Sequence, residues 1–171
     1  MTTFKRKLIG KGAFTKAYQV AENQVEIITI CPAKECYALF SQGNSFAPVI
    51  EKVDYLDSGE SVYNMPLYPK ITAPKKQLNA KAYVIYNTLR NIASTYAIDY
   101  YKFIEAVEAC ELGEETKESV IDLCSDVCNG IDPMEMGFEI SPRNITTNDV
   151  GDLIMLDCFF SRKILRSTYK K

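Results

Sequence analysis

The stretch from Met136 to Phe160 (MGFEISPRNITTNDVGDLIMLDCFF) constrains the chain most, because three oxygen-bearing side chains stand in it at defined spacings. Glu139 is followed five residues later by Asn144 and thirteen residues after that by Asp157. A polar loop with a glycine and then an apolar run lie between the last two, which predicts a strand, a hairpin and a returning strand. This pattern gathers the three side chains at one end. Carboxylate and amide oxygens suit Mg²⁺ and phosphate, so the stretch is a candidate magnesium and phosphate site.

The composition limits the chemistry that such a site can use. A chain of 171 residues predicts one domain, and a formal net charge of -2 gives no global field toward nucleic acid or a membrane surface. No apolar run approaches the length of a membrane span. The absence of histidine excludes a Ser-His-Asp triad and most zinc sites. Basic residues gather at both ends of the chain, which indicates either solvated tails or an anionic partner.

Six cysteines are spaced in ways that fit no strong zinc pattern. The start of the chain shows no apolar signal segment, so an oxidising compartment is not indicated. We therefore expect six reduced thiols.

A glycine-rich hairpin is predicted near the start, in the segment GKGAFTKAY. Gly10 and Gly12 lie two residues apart before Phe14, so the backbone can come close to a ligand and turn its amides toward phosphate oxygens. The third glycine of a dinucleotide fingerprint and the Gly-Lys-Ser/Thr of a Walker A loop are both missing. A plain turn is the alternative interpretation.

The order of elements predicts a strand-rich first part and a helical second part. Five strands and one helix, PAKECYALF from Pro32 to Phe40, are expected in residues 1–67, with strands that include Val25–Ile30, Pro48–Tyr55 and Ser61–Leu67. A proline-bearing linker follows at residues 68–76. Helices are then expected at about 77–97, 99–111 and 114–128, the second one capped by Asp99 and closed by Gly113. The chain ends in a short basic tail.

This order resembles a protein kinase reduced to its minimum. The hairpin at Gly10, Gly12 and Phe14 resembles the Gly-rich loop of that family. The segment from Glu139 to Asn144 matches the catalytic loop, Asp-x-x-x-x-Asn, and Asp157 matches the metal-binding Asp of the Asp-Phe-Gly motif. Within the kinases, the chain most resembles the early protein kinases of short-tailed bacteriophages.

The resemblance implies an α+β, two-lobed kinase-like domain that covers residues 1–171. An antiparallel N-lobe sheet with one helix would occupy residues 1–67, a hinge 68–76, and a truncated helical C-lobe 77–171. ATP and magnesium are the implied cofactors. The implied site residues are Glu139 as catalytic carboxylate, Asn144 and Asp157 as metal ligands, Gly10, Gly12, Phe14 and Lys16 at the nucleotide, and Met65 and Leu67 as backbone contacts to the adenine.

Several departures from the family bear on catalysis. Glu139 replaces the catalytic Asp, and Gly137 and Phe138 stand where the family has His and Arg. The third strand has no lysine to grip phosphate, so Lys16 or Lys34 would have to reach in from elsewhere.

Three further departures follow from the same comparison. Glu35 would be the helix glutamate of the family, but it has no clear ion-pair partner. Cys158 and Phe159 replace the Phe-Gly of the metal-binding motif. The 14 residues after Asp157 leave no room for an activation segment or peptide-binding helices.

Two classes of function follow. The favoured one is a degenerate phage pseudokinase that binds a host protein in the bacterial cytoplasm and retains nucleotide binding. The alternative is an active serine/threonine protein kinase that uses ATP and magnesium on host proteins. A small-molecule kinase of the aminoglycoside or choline type is a third, weaker interpretation.

Overall fold

A computed structural model describes residues 4–51 and 53–169 of the chain. Its first part contains five strands and one helix, as predicted. The strands pair antiparallel in one sheet of order β1-β2-β3-β5-β4, and the helix α1 lies between β3 and β4 in the chain. The bounds are Lys7–Lys11 for β1, Thr15–Ala21 for β2, Gln24–Thr29 for β3, Pro32–Phe40 for α1, Val53–Tyr55 for β4 and Ser61–Pro66 for β5.

The second part is mostly helical, with two small strand pairs that carry the stretch from Met136 to Phe160. The helices are α2 (Pro74–Gln77), α3 (Ala80–Tyr96), α4 (Tyr100–Ala109), α5 (Glu114–Val127) and α6 (Arg162–Tyr169). The strand pairs are β6 (Met136–Phe138) with β9 (Phe159–Ser161), and β7 (Ile145–Thr147) with β8 (Leu153–Met155). This order of elements confirms the predicted fold class, a two-lobed kinase-like α+β fold.

The helix starts follow from local side-chain chemistry. Asn79 and Asp99 accept hydrogen bonds from the third backbone N–H after them, at 2.8 Å and 3.2 Å, and so cap α3 and α4. The predicted cap at Asp99 is therefore confirmed. Gly113 does not close α4, which ends at Ala109; it stands instead at the N-cap position of α5.

The strand expected over residues 48–55 is shortened to β4, because the chain before it turns toward the helical part. Phe46 is buried, and its carbonyl accepts a hydrogen bond from the Met155 N–H at 2.8 Å. Pro48 has no N–H to offer to a strand ladder.

The basic tail also differs from the prediction, since α6 begins at Arg162. The Arg162 guanidinium donates to the carbonyls of Ile98 at 3.1 Å and Met134 at 2.9 Å, which ties the start of α6 to the helical part. Lys170 and Lys171 lie outside the described residues.

Helix α1 contributes to both hydrophobic cores and mostly to the larger one. The smaller core is formed under the sheet by Val25, Ile27, Ala38, Ile50 and Tyr63. The larger one joins the helical part to residues of the α1 region: Cys31, Ala33, Cys36, Tyr37, Phe46 and Ala47. The Tyr37 hydroxyl donates to the Met155 carbonyl, and burial raises the pKa of this phenol well above its usual value. The second turn of α1 is therefore held beside the end of β8.

Two whole-chain expectations can be compared with the structure. All six cysteines are free, as predicted. Within the described residues, no helix combines the length and the apolar character needed to cross a membrane.

Candidate functional site

The turn after β6 carries Glu139 and Asn144. The Glu139 N–H donates to the Cys158 carbonyl at 2.9 Å, which anchors the start of this turn to the segment before β9. A 3-10 turn then spans Pro142–Asn144. The buried Asn144 side chain donates through its amide nitrogen to the Glu139 carbonyl at 2.9 Å. The Asn144 side chain thus closes the loop by a hydrogen bond to the residue five positions earlier.

Asp157 is brought to Asn144 by backbone bonds across the open end of the β7–β8 hairpin. The N–H groups of Leu156 and Asp157 donate to the Asn144 carbonyl at 2.8 Å and 3.3 Å. The Cys158 thiol donates to the same carbonyl at 3.3 Å, and burial raises the pKa of that thiol, so it stays protonated as a donor. The spacing seen in the sequence does place these residues together.

Lys34 reaches this end of the hairpin from the first turn of α1. Its ammonium nitrogen lies 2.8 Å from Asp157 Oδ1 and 2.9 Å from Oδ2, and it donates to Thr15 Oγ1 at 2.7 Å. The Lys34 side chain is 10% exposed, whereas the Asp157 side chain is 40% exposed. A buried ammonium requires such partners. Helix α1 therefore supplies a cation that β3 lacks.

The inner face of β3 is occupied by uncharged side chains. Val25, Ile27 and Thr29 point inward and are buried. The Thr29 hydroxyl donates to the Phe14 carbonyl at 3.1 Å and lies 3.1 Å from the Thr15 hydroxyl. Thr15 thus links the glycine-rich hairpin to both β3 and Lys34.

Lys16 is placed differently from Lys34. It is exposed and follows Thr15 in β2, so its side chain leaves the strand on the opposite face from Thr15. Of the two lysines considered from the sequence, the structure brings Lys34 to Asp157.

The Glu139 carboxylate is paired with a residue of its own turn. The Arg143 guanidinium forms an ion pair with the Glu139 carboxylate, and both side chains are largely exposed. Arg143 therefore pairs with a surface acid in this structure. The pairing engages one carboxylate oxygen of Glu139.

Glu35 anchors α1 to the sheet instead of pairing with a lysine. Its carboxylate accepts hydrogen bonds from the Ser61 hydroxyl at 2.7 Å and the Tyr55 hydroxyl at 2.9 Å. The hydrogen bond to this carboxylate raises the pKa of Tyr55. Because Lys34 directly precedes Glu35 in the helix, this anchor also fixes the turn from which the Lys34 side chain extends.

Gly137 and Phe138, which depart from the family pattern, serve packing. Gly137 lies opposite Phe160 in the β6–β9 pair, and an added Cβ would lie 2.4 Å from the Phe160 ring. Phe138 is 2% exposed and stacks on Phe103, with ring centroids 3.8 Å apart. These positions therefore hold β6 and the turn that follows it in place through apolar contacts.

The glycine-rich hairpin folds without using the special freedom of its glycines. The Gly12 N–H donates to the Thr15 carbonyl at 2.8 Å, and Gly10 lies opposite Ala17. Neither glycine has a positive φ. An added Cβ would meet its nearest atom at 3.5 Å for Gly10 and at 3.9 Å for Gly12, which is ordinary contact. The fold therefore does not require glycine at either position.

This predicts the outcome of a Gly12→Ala substitution. Stability without ligand should be unchanged or rise by about 0.4–1 kcal/mol, because alanine restricts the unfolded chain at no steric cost. The rise in melting temperature on adding nucleotide should shrink if the ligand uses the open space at Gly12. Gly113→Ala, at an open position before α5, is the matched control and should leave that rise unchanged. An equal response to nucleotide in the two variants would contradict a role for Gly12 in binding.

The link between the two parts was expected to offer backbone groups of Met65 and Leu67 to an adenine. In the structure the Leu67 N–H is engaged within the chain, because it donates to the Asn23 carbonyl at 2.9 Å. Asn23 and Leu67 thus form a hydrogen-bonded pair next to the β3–β5 ladder. Hydrogen-bonded and non-hydrogen-bonded pairs alternate along an antiparallel ladder, so Met65, two residues before Leu67, also forms backbone hydrogen bonds with its partner Val25.

A magnesium ion would meet a small donor set here. Mg²⁺ is usually held by one or two carboxylates together with substrate phosphates. Asp157 supplies one carboxylate and Asn144 one amide oxygen, and the Lys34 ammonium already lies on both oxygens of Asp157. Residues 4–51 and 53–169 contain no group of three or more Cys, Asp and Glu side chains that could hold a metal. A cation at this point would compete with the lysine.

Comparison with known proteins gives structural matches alone. No protein-family model matches the chain, and no match is found among curated proteins. A GDP complex of a point mutant of aminoglycoside 2'-phosphotransferase-IIIa matches with a TM-score of 0.43 and 14% identity, over 92% of this chain and 69% of that chain.

Two further solved structures give similar values. The GDP and kanamycin complex of APH(2'')-IIIa matches at TM-score 0.42 and 14% identity, over 92% of this chain and 70% of that one. The GDP complex of the wild-type aminoglycoside 2'-phosphotransferase-IIIa matches at 0.40 and 13%, with the same two coverages. The fold assignment rests on the strand order and element order of this chain.

Proposed function

We propose that this protein is a pseudokinase, a kinase-like module that binds a nucleotide and acts by contact with a partner protein. The ion pair of Arg143 with Glu139 argues against phosphotransfer, and the observation that carries nucleotide binding is the Lys34 ammonium bonded to both carboxylate oxygens of Asp157. This charge pair lies beside the glycine-rich hairpin, to which Thr15 connects it.

Nucleotide binding follows from the chemistry of that pair. A lysine ammonium is a compact cation with three donors, and phosphate oxygens are strong acceptors for it. Phosphates that approach under the hairpin would keep the ammonium satisfied as it leaves Asp157. Asn144 and Asp157 remain the proposed ligands for magnesium, and ATP with magnesium remain the proposed cofactors. Gly10, Gly12 and Phe14 are proposed to cover the phosphates.

Weak or absent phosphotransfer follows from Glu139. Its carboxylate stands one methylene farther from the backbone than an aspartate would, and Arg143 holds it in an ion pair. A misplacement of about 1 Å at a reacting group costs on the order of a hundredfold in rate. A protein with this catalytic loop is better suited to binding than to turnover.

The proposed partner is a host protein in a bacterial cytoplasm, and this part rests on the resemblance to phage kinases. Affinity capture from a bacterial lysate is the direct test, with a stoichiometric partner as the expected result. Phe138→Leu, which keeps the fold packed with a smaller side chain, is not expected to change that capture. If the wild-type protein captures no stoichiometric partner, the result would contradict contact with a partner as the mode of action.

Thermal unfolding with ATP tests the nucleotide part of the proposal. A ligand present at 100 times its Kd stabilises the folded state by about 2.7 kcal/mol. We expect the melting temperature to rise with ATP, measured both with magnesium and with a chelator. No rise at millimolar ATP in either condition would rule out nucleotide binding.

An active serine/threonine kinase is the second candidate, and one observation favours it: Lys34 supplies the cation that β3 lacks. Labelled ATP and a mixture of protein substrates separate the two functions. As a pseudokinase, the wild-type protein should transfer no label above the Asp157→Asn variant. Transfer by the wild type that is lost in Asp157→Asn would establish the enzyme instead.

A further inference from the structure

Strand β1, at one end of the five-stranded sheet, combines lysines that form no ion pair with exposed apolar side chains. We propose that the free edge of this strand is the docking surface for the partner protein, and that it takes an acidic segment of that partner as an added strand. This inference rests on the proposed contact with a partner, and it names the surface and the chemistry of that contact.

The positive charge around β1 exceeds that of the neighbouring carboxylates. Residues 4–29 hold five lysine and arginine residues against two glutamates, and one of these, Glu26, is already paired with Arg6. Lys11 lies directly opposite Lys16 in the β1–β2 ladder, where two like charges repel each other. In the part of the chain that the structure describes, four exposed lysines here form no ion pair: Lys5, Lys7, Lys11 and Lys16. An anionic partner would relieve this excess.

Large apolar side chains are exposed among these lysines. Leu8 and Ile9 are exposed in β1, and Phe4 is exposed just before it. The pairing with β2 shifts between Leu8 and Gly10, so Ile9 is the extra residue of a β-bulge. Lysines and bulges on an edge strand guard it against pairing with a like-charged copy of itself. The exposed apolar groups beside them still favour contact with a partner of opposite charge.

The backbone of β1 indicates which kind of anionic partner fits. This strand pairs with β2 on one side, and no other described strand lies on its free side. An extended polypeptide can add to such an edge through main-chain hydrogen bonds, with its side chains supplying the specificity. Nucleic-acid phosphates would use the charge alone. An acidic protein segment uses the lysines, the apolar side chains and the free backbone groups together.

Site-specific photo-crosslinking tests this surface in the full chain. A photoreactive amino acid replaces Leu8 in one protein and Val150, an exposed apolar residue of the β7–β8 hairpin, in the other. Each protein is illuminated in a bacterial lysate, and the linked peptides are identified by mass spectrometry. We expect a partner protein linked at position 8 through a segment of net negative charge, and none linked at position 150.

Charge reversal gives the matched measurement on the purified partner. Lys7→Glu should weaken its binding by about tenfold or more, because placing like charges together across an interface is costly. Lys81→Glu makes the same change on an exposed lysine at the start of α3 and should leave the affinity unchanged. Both side chains are exposed, so the melting temperatures of the variants should stay close to that of the wild type. Equal affinities of the two variants would overturn the inference.

The remaining outcomes separate this inference from the proposed function. A partner linked only at position 150, or linked at position 8 through a segment without excess acid, would overturn the docking surface and leave contact with a partner intact. A second copy of the chain linked at position 8 would overturn it as well. So would binding of phosphatidylserine vesicles or duplex DNA that is lost in Lys7→Glu, with no protein linked at position 8. If the wild-type protein engages no partner in any of these measurements, the proposed mode of action fails together with the inference.

Discussion

The Lys34→Met variant is expected to lose the rise in melting temperature that the wild-type protein shows with ATP. The substitution keeps a long, unbranched side chain in the first turn of α1 and removes the ammonium that lies 2.8 Å and 2.9 Å from the two Asp157 oxygens. Without that cation, phosphates would meet Asp157 as an unscreened like charge. We expect nucleotide affinity to fall by at least tenfold, as measured by competition binding.

The same variant should also be somewhat less stable without ligand. Asp157 loses its ionic partner, but its side chain is 40% exposed, so water replaces part of the lost interaction and the cost should be about 1–2 kcal/mol. Lys16→Met separates the two lysines considered from the sequence, because Lys16 is exposed on the other face of β2. Retained binding in Lys34→Met with lost binding in Lys16→Met would reverse the assignment made here.

The Phe138→Ala variant is expected to show the largest loss of stability. Phe138 is 2% exposed, stacks on the fully buried Phe103, and also contacts the rings of Tyr100 and Phe159. Removing a buried aromatic ring costs about 3–5 kcal/mol, because the cavity that it leaves is only partly filled by relaxation. Urea denaturation followed by circular dichroism should show the midpoint shift by a corresponding amount at an unchanged m-value.

Phe138→Leu serves as the graded comparison, since it keeps apolar volume at the same position. Its loss should be less than half that of Phe138→Ala. Equal losses in the two variants would show that the stacked aromatic geometry, and not buried volume, controls stability at this point. A loss under about 1 kcal/mol for Phe138→Ala would contradict the packing described for β6, given the range for buried aromatic rings.

Much of the fold was predictable because it depends on local patterns. Alternating side chains and turn residues indicated the strands of the sheet, and Pro32, Asn79 and Asp99 stand where helices begin. The meeting of Asn144 and Asp157 was also predictable, since a hairpin with a fixed number of residues returns its two ends to one place.

The functional details that the sequence missed depend on contacts between distant elements. The sequence left Lys16 and Lys34 as alternatives, and the choice of Lys34 depends on the packing of α1 against the helical part, which brings this lysine to Asp157. The hydrogen bond of the Leu67 N–H to the Asn23 carbonyl follows from the register of β3 and β5, which no local sequence pattern indicates. The α6 helix was missed because its contact through Arg162 reaches carbonyls 64 and 28 residues earlier in the chain.

The shared core around α1 has a consequence for how this protein could respond to a partner. Lys34 and Asp157 are carried by elements packed into the same hydrophobic interior, whereas the hairpin meets Lys34 through the Thr15 hydroxyl. Displacing the glycine-rich hairpin alone would break the Thr15 hydrogen bond to Lys34 and leave the ammonium on its carboxylate, because Glu35 holds α1 to Ser61 and Tyr55 on other strands. A binding protein that pulls on the hairpin would therefore move the hairpin without separating the charges beside it.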